Sequence, residues 1–135
     1  MHEPKKIFVA DDDQDILNII EMMLRSRGYE VVMSSNAEEL FACKAEDLPE
    51  LILMDIWMAG VDGREICGRL KKNKLTSAIP VLFVSANSQI AAITEDCRAD
   101  GFIAKPFEMK LLLQKVQEHL HASMQAQTCD QISQD

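Results

Sequence analysis

Four short apolar stretches of this sequence each stop at a residue whose side chain can do chemistry. The groups found there are carboxylates, a hydroxyl and an amine: Asp11, Asp12, Asp13, Asp55, Ser85 and Lys105. If the stretches are parallel strands, their carboxyl ends meet at one edge of a sheet, where open α/β folds bind ligands. We therefore expect most of these groups to share one crevice.

The carboxylates of this set predict a site for a divalent cation. Asp11, Asp12 and Asp55 would lie close together if the first and third strands are neighbours, and like charges that close destabilise a fold unless a cation lies among them. Hard oxygen ligands with open water positions suit Mg²⁺. With Ser85 and Lys105 added, the set favours phosphoryl transfer to Asp55, because the metal, the amine and the hydroxyl would each stabilise charge on the transferred group.

Each of these groups also has an ordinary structural explanation. Aspartates after a strand often cap the following helix, which is our prediction for Asp13. Asp55 alone could begin a turn, as Asp62 is expected to do, Ser85 could cap a helix, and Lys105 could be a solvated strand end. Because four strand ends carry the four groups that phosphoryl transfer needs, the shared site is the favoured interpretation.

The apolar pattern predicts the elements that position these groups. Continuous apolar runs indicate five strands, at residues 7–10, 31–33, 51–54, 81–84 and 102–104. Apolar residues three and four apart indicate a helix after each strand. The second of these helices is expected to run from a cap at Asn36 to about Glu46, and the fourth to be short. Strands that alternate with helices indicate a parallel sheet covered on both faces.

Composition argues against several classes of protein. The chain has 135 residues, enough for one domain, and its 14 Lys and Arg against 22 Asp and Glu leave a net charge of −8. Phosphate affinity comes from Lys and Arg, so we expect no nucleic-acid partner. No apolar run approaches the roughly 20 residues of a membrane helix, and the polar start does not resemble a signal peptide. We expect a cytoplasmic domain without a membrane partner.

The cysteines do not suggest a metal or redox site. The four are Cys43, Cys67, Cys97 and Cys129, and no two of them form a C-x-x-C pair. This spacing is unlike that of zinc sites or redox dithiols, so we expect free thiols.

The sequence resembles a response-regulator receiver domain, of the CheY-like family of two-component signalling. The matching segments are IFVADDD at 7–13, LILMDIWMAGVDG at 51–63, VLFVSA at 81–86 and ADGFIAKPF at 99–107. The resemblance covers about residues 5–120, and we expect a receiver domain over 1–122 and a polar, flexible tail over 123–135. It implies the flavodoxin-like (βα)5 fold, a doubly wound five-stranded parallel sheet in the order 2-1-3-4-5 with helices on both faces.

The resemblance also implies a role for each site residue. Asp55 would be the phosphoacceptor, and Ser85 and Lys105 would contact the phosphoryl group. The implied Mg²⁺ ligands are three carboxylates and one backbone carbonyl, those of Asp11, Asp12, Asp55 and Trp57. Phe102 would be the switch aromatic that turns inward when Ser85 moves. The bond between Lys105 and Pro106 matches the family's cis peptide.

Several features depart from the family pattern. Ala59 replaces the usual proline, so we expect a looser loop there. Trp57 borders the entrance for attacking water, which leads to the hypothesis of slow hydrolysis and a moderately long-lived phospho-form. Ser85 and Lys105 are about two positions closer in sequence than is common, and Arg98 replaces a usual glycine, which fits a short fourth helix.

These inferences predict a single-domain response regulator. It would accept a phosphoryl group from a sensor histidine kinase or a histidine phosphotransfer protein, and it would not be an enzyme with turnover. The surface formed by helix 4, strand 5 and helix 5 would then bind an effector in another chain, as a monomer or a phosphorylation-dependent dimer.

Three alternative functions remain open. A phosphorelay shuttle that passes the phosphoryl group onward fits the same residues. An aspartyl-phosphate hydrolase is disfavoured because Trp57 stands where such enzymes have their acid/base aspartate. A receiver that serves only for docking is disfavoured because the expected acids and Lys105 are all present.

Overall fold

Five parallel strands form the sheet of this protein. The structure, a computed structural model, describes residues 4–120, and the predicted tail over 123–135 lies outside them. The strands are β1 (Lys6–Ala10), β2 (Glu30–Ser34), β3 (Leu51–Met54), β4 (Val81–Ser85) and β5 (Gly101–Ala104). They lie in the order β2-β1-β3-β4-β5, and every neighbouring pair is parallel. This is the fold class predicted from the sequence.

Helices cover both faces of the sheet, as predicted. The four α-helices are α1 (Gln14–Ser26), α2 (Gly63–Lys72), α3 (Ile90–Asp96) and α4 (109–120). Apolar residues of α1 and α4 form one core with alternate residues of β3, and those of α2 and α3 form the other core with the remaining ones. All four residues of β3 are fully buried, which explains their continuous apolar run. In the part of the chain described, no helix is long and apolar enough to cross a bilayer.

The prediction of a second helix from Asn36 to about Glu46 was wrong. That segment contains two 3₁₀ turns, Glu38–Ala42 and Ala45–Asp47, separated by extended backbone. The Asn36 side chain does accept a hydrogen bond from the Glu38 N–H, as a cap would. However, Leu40 is the only residue of these two turns that is fully buried. One apolar anchor does not provide the packing that stabilises a longer helix.

The short α3 ends in a left-handed residue. Arg98 has φ 61°, and the next residue, Ala99, donates its N–H to the Thr94 carbonyl at 3.0 Å. This closing turn is one that glycine forms most easily, because a Cβ crowds the following carbonyl when φ is positive. The predicted short helix and the unusual residue at its end are thus one local feature.

We expect Arg98→Gly to raise the free energy of unfolding by about 1 kcal/mol, because it relieves the left-handed strain at some entropic cost in the unfolded chain. Urea unfolding followed by far-UV circular dichroism measures this change. Arg98→Ala removes the same side chain but keeps the Cβ, so it should change stability little. Equal effects of the two variants would contradict the explanation.

The described cysteines are free thiols, as predicted. Cys43, Cys67 and Cys97 form no disulfide, and Cys129 lies outside the described residues. Cys67 lies in α2 and is fully buried, and this burial raises the pKa of its thiol to about 11. Such a thiol stays protonated at neutral pH and acts as a small apolar side chain.

Candidate functional site

Three strand ends bring the predicted site residues together. Asp11 follows β1, Asp55 follows β3 and Lys105 follows β5. Backbone hydrogen bonds continue the sheet one residue past the strands: the Asp55 N–H donates to Ala10 and the Lys105 N–H to Ser85, at 3.1 and 2.9 Å. The backbone of Asp55 and Lys105 is therefore held by the sheet, and their side chains start from fixed positions at its edge.

The Lys105 ammonium joins two of the carboxylates. Its Nζ lies 2.7 Å from Asp11 Oδ2 and 2.9 Å from Asp55 Oδ2. The Lys105 side chain is only 16% exposed, and both acids are well shielded from water. Charge-assisted hydrogen bonds in such surroundings are stronger than those at an open surface. Lys105 thus fixes Asp55 and Asp11 in one cluster.

Burial and pairing act against each other on the ionisation of these groups. Burial raises the pKa of the Asp11 carboxyl above its usual value, although its hydrogen bonds with Lys105 and the Asp13 N–H act in the opposite direction. Burial also disfavours the charge on Lys105, but its hydrogen bonds to Asp11 and Asp55 outweigh this and raise the pKa of the amine. The ammonium of Lys105 therefore does not fully offset the cost of burying the Asp11 charge.

The next two aspartates face elsewhere. Asp13 caps α1, because its Oδ1 accepts hydrogen bonds from the N–H groups of Asp15 and Ile16, as predicted for this residue. Asp12 is exposed, and its Oδ2 accepts a hydrogen bond from the Ala59 N–H at 3.0 Å. The structure therefore ties Asp12 to the loop after β3 and not to the Lys105 cluster.

That loop is a β-hairpin, not the looser segment we expected. Trp57–Met58 pairs antiparallel with Val61–Asp62, and the two residues between them have φ of 48° (Ala59) and 80° (Gly60). Two consecutive positive φ values match the right-handed twist of a tight hairpin. Proline could not occupy the first position, since its ring fixes φ near −65°.

Gly63 brings the end of the hairpin against the backbone of Asp55. The Gly63 N–H donates to the Ile56 carbonyl at 2.5 Å. A Cβ on Gly63 would overlap the Asp55 carbonyl oxygen and lie 2.9 Å from that of Ile56. The motif Asp62-Gly63 is therefore more than a turn, because the small residue allows α2 to start directly beside the candidate phosphoacceptor.

The side chains of Ser85 and Phe102 form no hydrogen bond with this cluster within the described residues. Ser85 is buried, and its Oγ accepts a hydrogen bond from the Asn87 N–H at 3.2 Å, which is a local capping geometry. Phe102 lies beside Phe83 in the sheet register and is 38% exposed, so its ring is not buried in the core. Their roles as switch residues remain predictions. The bond between Lys105 and Pro106 is cis, as the resemblance implied.

The donor set fits Mg²⁺ by its chemistry, although it is not assembled as a metal site. Asp11, Asp12 and Asp55 carry three negative charges and Lys105 one positive charge, which leaves an excess equal to the charge of a divalent cation. Carboxylate oxygens are ligands that Mg²⁺ accepts together with several waters. Among residues 4–120, however, no three acidic, His or Cys side chains stand in a metal-binding arrangement. The main misplaced group is Asp12.

Sequence reasoning missed the contacts of two further residues. Arg64 lies over the Trp57 ring at 5.2 Å and binds both carboxylate oxygens of Asp62, while the Ala59 amide binds Asp12. Arg64 is recognisable in the sequence only as a cation near a helix start. The Ala59 contact depends on backbone conformation, for which the sequence offers only the weak signal of a glycine at the next position.

Comparison with known proteins agrees with the fold. Residues 7–117 match the response regulator receiver domain family, and the chain belongs to this family. The nisin biosynthesis regulatory protein NisR of Lactococcus lactis is 35% identical over 117 residues, which are 85% of this chain and 50% of NisR. The regulatory protein PhoP of Bacillus subtilis is 29% identical over 97% of this chain and 55% of its own length.

Solved structures lead to the same family. A CheY-like receiver domain protein from Methanospirillum hungatei shares 28% identity and a TM-score of 0.80, over 91% of this chain and 98% of that one. The chain spans about half the length of the curated relatives it matches. Receiver domains of two-component systems are phosphoacceptor switches that generally bind Mg²⁺ at the phosphorylation site.

We expect Asp11→Asn to stabilise the metal-free protein at neutral pH. Because the pKa of Asp11 is raised in the folded state, its ionised form opposes folding above that pKa, and this cost disappears as the pH falls below the unfolded value. Urea unfolding in the presence of a chelator, at several pH values, measures this. The free energy of unfolding of the variant should exceed that of wild type by less and less as the pH falls. Asp13→Asn, which retains a good helix cap, is the control, and a less stable Asp11→Asn at neutral pH would contradict this explanation.

Proposed function

We propose that this receiver domain accepts a phosphoryl group on Asp55 from the phosphohistidine of a sensor histidine kinase or a phosphotransfer protein. The observation that supports this best is the bridge from Lys105 Nζ to Asp55 Oδ2 and Asp11 Oδ2. It places a shielded cation directly at the carboxylate that follows the central strand. A phosphoryl group on that oxygen would meet the same ammonium.

In the proposed reaction an Asp55 oxygen attacks phosphorus while the bond to the donor nitrogen breaks. The electron pair of that bond returns to the imidazole, which takes up a proton, and Asp55 becomes an acyl phosphate. Such a transfer needs little covalent help from the protein, and positioning and charge compensation supply most of the catalysis. The Ile56 N–H holds Asp55 Oδ1 at 2.6 Å, which leaves the Oδ2 side facing Lys105.

The cation-binding residues in this proposal are Asp11, Asp12, Asp55 and the backbone carbonyl of Trp57. Mg²⁺, when bound, would neutralise charge on the entering phosphoryl oxygens. Asp11 and Asp55 are already neighbours through Lys105, and the Asp12 side chain has to leave the hairpin amide to join them.

We further propose that Ser85 and Phe102 transmit the change. The Ser85 hydroxyl would exchange its local bond with the Asn87 N–H for the phosphoryl group, and Phe102 would move inward from its partly exposed position. Ser85 lies in β4 and Phe102 in the adjacent strand β5, so in this proposal a movement of Ser85 would be transmitted to Phe102 through the paired strands. The altered surface around α3, β5 and α4 would bind the protein that carries the output.

Asp55→Asn should abolish phosphorylation, because an amide is not a phosphoryl acceptor. We expect the wild-type chain, incubated with Mg²⁺ and acetyl phosphate, to gain the mass of one phosphoryl group, and the variant to gain none. Asp13→Asn is the matched control, since Asp13 caps α1 and should leave labelling intact. Equal labelling of Asp55→Asn and wild type would refute the proposed acceptor.

Trp57→Ala should shorten the lifetime of the phospho-form severalfold if the indole shields the acyl phosphate from water. The ring is 54% exposed, and Arg64 holds it from one side. The decay of phosphoprotein after removal of the donor, followed by mass spectrometry, measures this. Leu75→Ala removes another exposed apolar side chain and serves as control. A wild-type half-life of seconds, or an unchanged one in Trp57→Ala, would argue against shielding.

A further inference from the structure

The hairpin after β3 contains an alanine in a conformation that favours glycine. Ala59 has φ 48°, and a Cβ makes this region unfavourable. Such outliers persist where the surrounding structure holds them, and they concentrate at functional sites. Ala59 and Gly60 form the two-residue turn of the hairpin, outside its paired residues. The backbone N–H of Ala59 is therefore available to a partner outside the hairpin.

This amide has a specific partner. The Ala59 N–H donates to Asp12 Oδ2 at 3.0 Å, and this is the only hydrogen bond of the Asp12 side chain within residues 4–120. The bond joins residues 47 positions apart, from the end of β1 to the tip of the hairpin. A proline at position 59 would have neither the N–H nor the required φ. The contact therefore requires a residue other than proline at this position.

Asp12 is also the acid that the proposed cation site lacks. Lys105 holds Asp11 and Asp55 together, whereas the Ala59 amide holds Asp12 at the hairpin. We propose that the Ala59 N–H is a latch that holds Asp12 away from the other two carboxylates. To bind Asp12, a divalent cation has to break the hydrogen bond between Asp12 and the Ala59 N–H, and this releases the hairpin from the end of β1. This inference rests on one part of the proposed function, the cation site formed by Asp11, Asp12 and Asp55, and does not depend on phosphoryl transfer.

The hairpin offers its own reporter of this displacement. Trp57 lies opposite Asp62 in the hairpin, and Arg64 contacts both, over the ring of one and at the carboxylate of the other. Trp57 is the single tryptophan of the chain. Movement of the hairpin when the latch opens should change the indole fluorescence.

The first test follows backbone amides of the full ¹⁵N-labelled chain during titration with MgCl₂. We expect the Ala59 amide proton to shift upfield and to exchange with solvent severalfold faster, in step with shifts at Asp11 and Asp55. Shifts at those two residues with unchanged Ala59 protection would overturn the latch but leave the proposed function intact. No response of any of these residues to Mg²⁺ would overturn both.

The second test removes the amide and measures Mg²⁺ affinity by Trp57 fluorescence. Ala59→Pro should bind Mg²⁺ about tenfold more tightly, equivalent to about 1.4 kcal/mol, the size of a hydrogen bond to a charged group. Ala59→Gly keeps the N–H and tolerates the positive φ, so its affinity should stay close to that of wild type.

Proline can also distort the hairpin, so an ester in place of the Ala59 amide is the decisive variant. Introduced by semisynthesis, the ester removes only the N–H and keeps the local shape. We expect it to tighten Mg²⁺ binding as Ala59→Pro does. Unchanged or weaker binding by the ester variant would show that the amide does not compete with the cation for Asp12.

Discussion

The ammonium of Lys105, shared between Asp11 and Asp55, is the interaction on which the site depends. It joins Lys105 to Asp11, which is 94 positions away, and connects the ends of three strands, β1, β3 and β5. Two shielded carboxylates this close would repel each other without the ammonium between them, so loss of the Lys105 charge would be costly. Lys105 therefore has to lie at the same edge of the sheet as both acids. It does so because β1, β3 and β5 are parallel and end at that edge.

The cluster remains short of positive charge, and this shortage connects structure with function. Burial raises the pKa of Asp11 despite its contact with Lys105, which is the expected sign of an acid that is only partly compensated. A site of this kind is less stable when empty than a neutral one would be. In the function that we propose, the same excess of negative charge would attract a divalent cation and, with that cation, a phosphoryl group.

The hairpin after β3 depends on the residue at position 59. Alanine in place of the usual proline permits a tight turn with two positive φ values and a backbone N–H directed at Asp12. We expected a looser loop at this position because a rigid residue was missing. The segment instead forms a tight hairpin, because position 59 adopts a positive φ and donates its N–H to Asp12, neither of which proline can do.

The sequence alone determined the sheet, its strands and the residues at the strand ends, because buried parallel strands require continuous apolar runs that stop abruptly at polar groups. It also determined the cap at Asp13, which depends on neighbouring residues. Tertiary structure decided the features that depend on distant contacts. The segment after β2 became 3₁₀ turns because only Leu40 was buried, and Asp12 bound the hairpin because Ala59 lies 47 residues away in sequence but beside it in space. Local patterns cannot encode such choices, since the partner is defined only after the chain has folded.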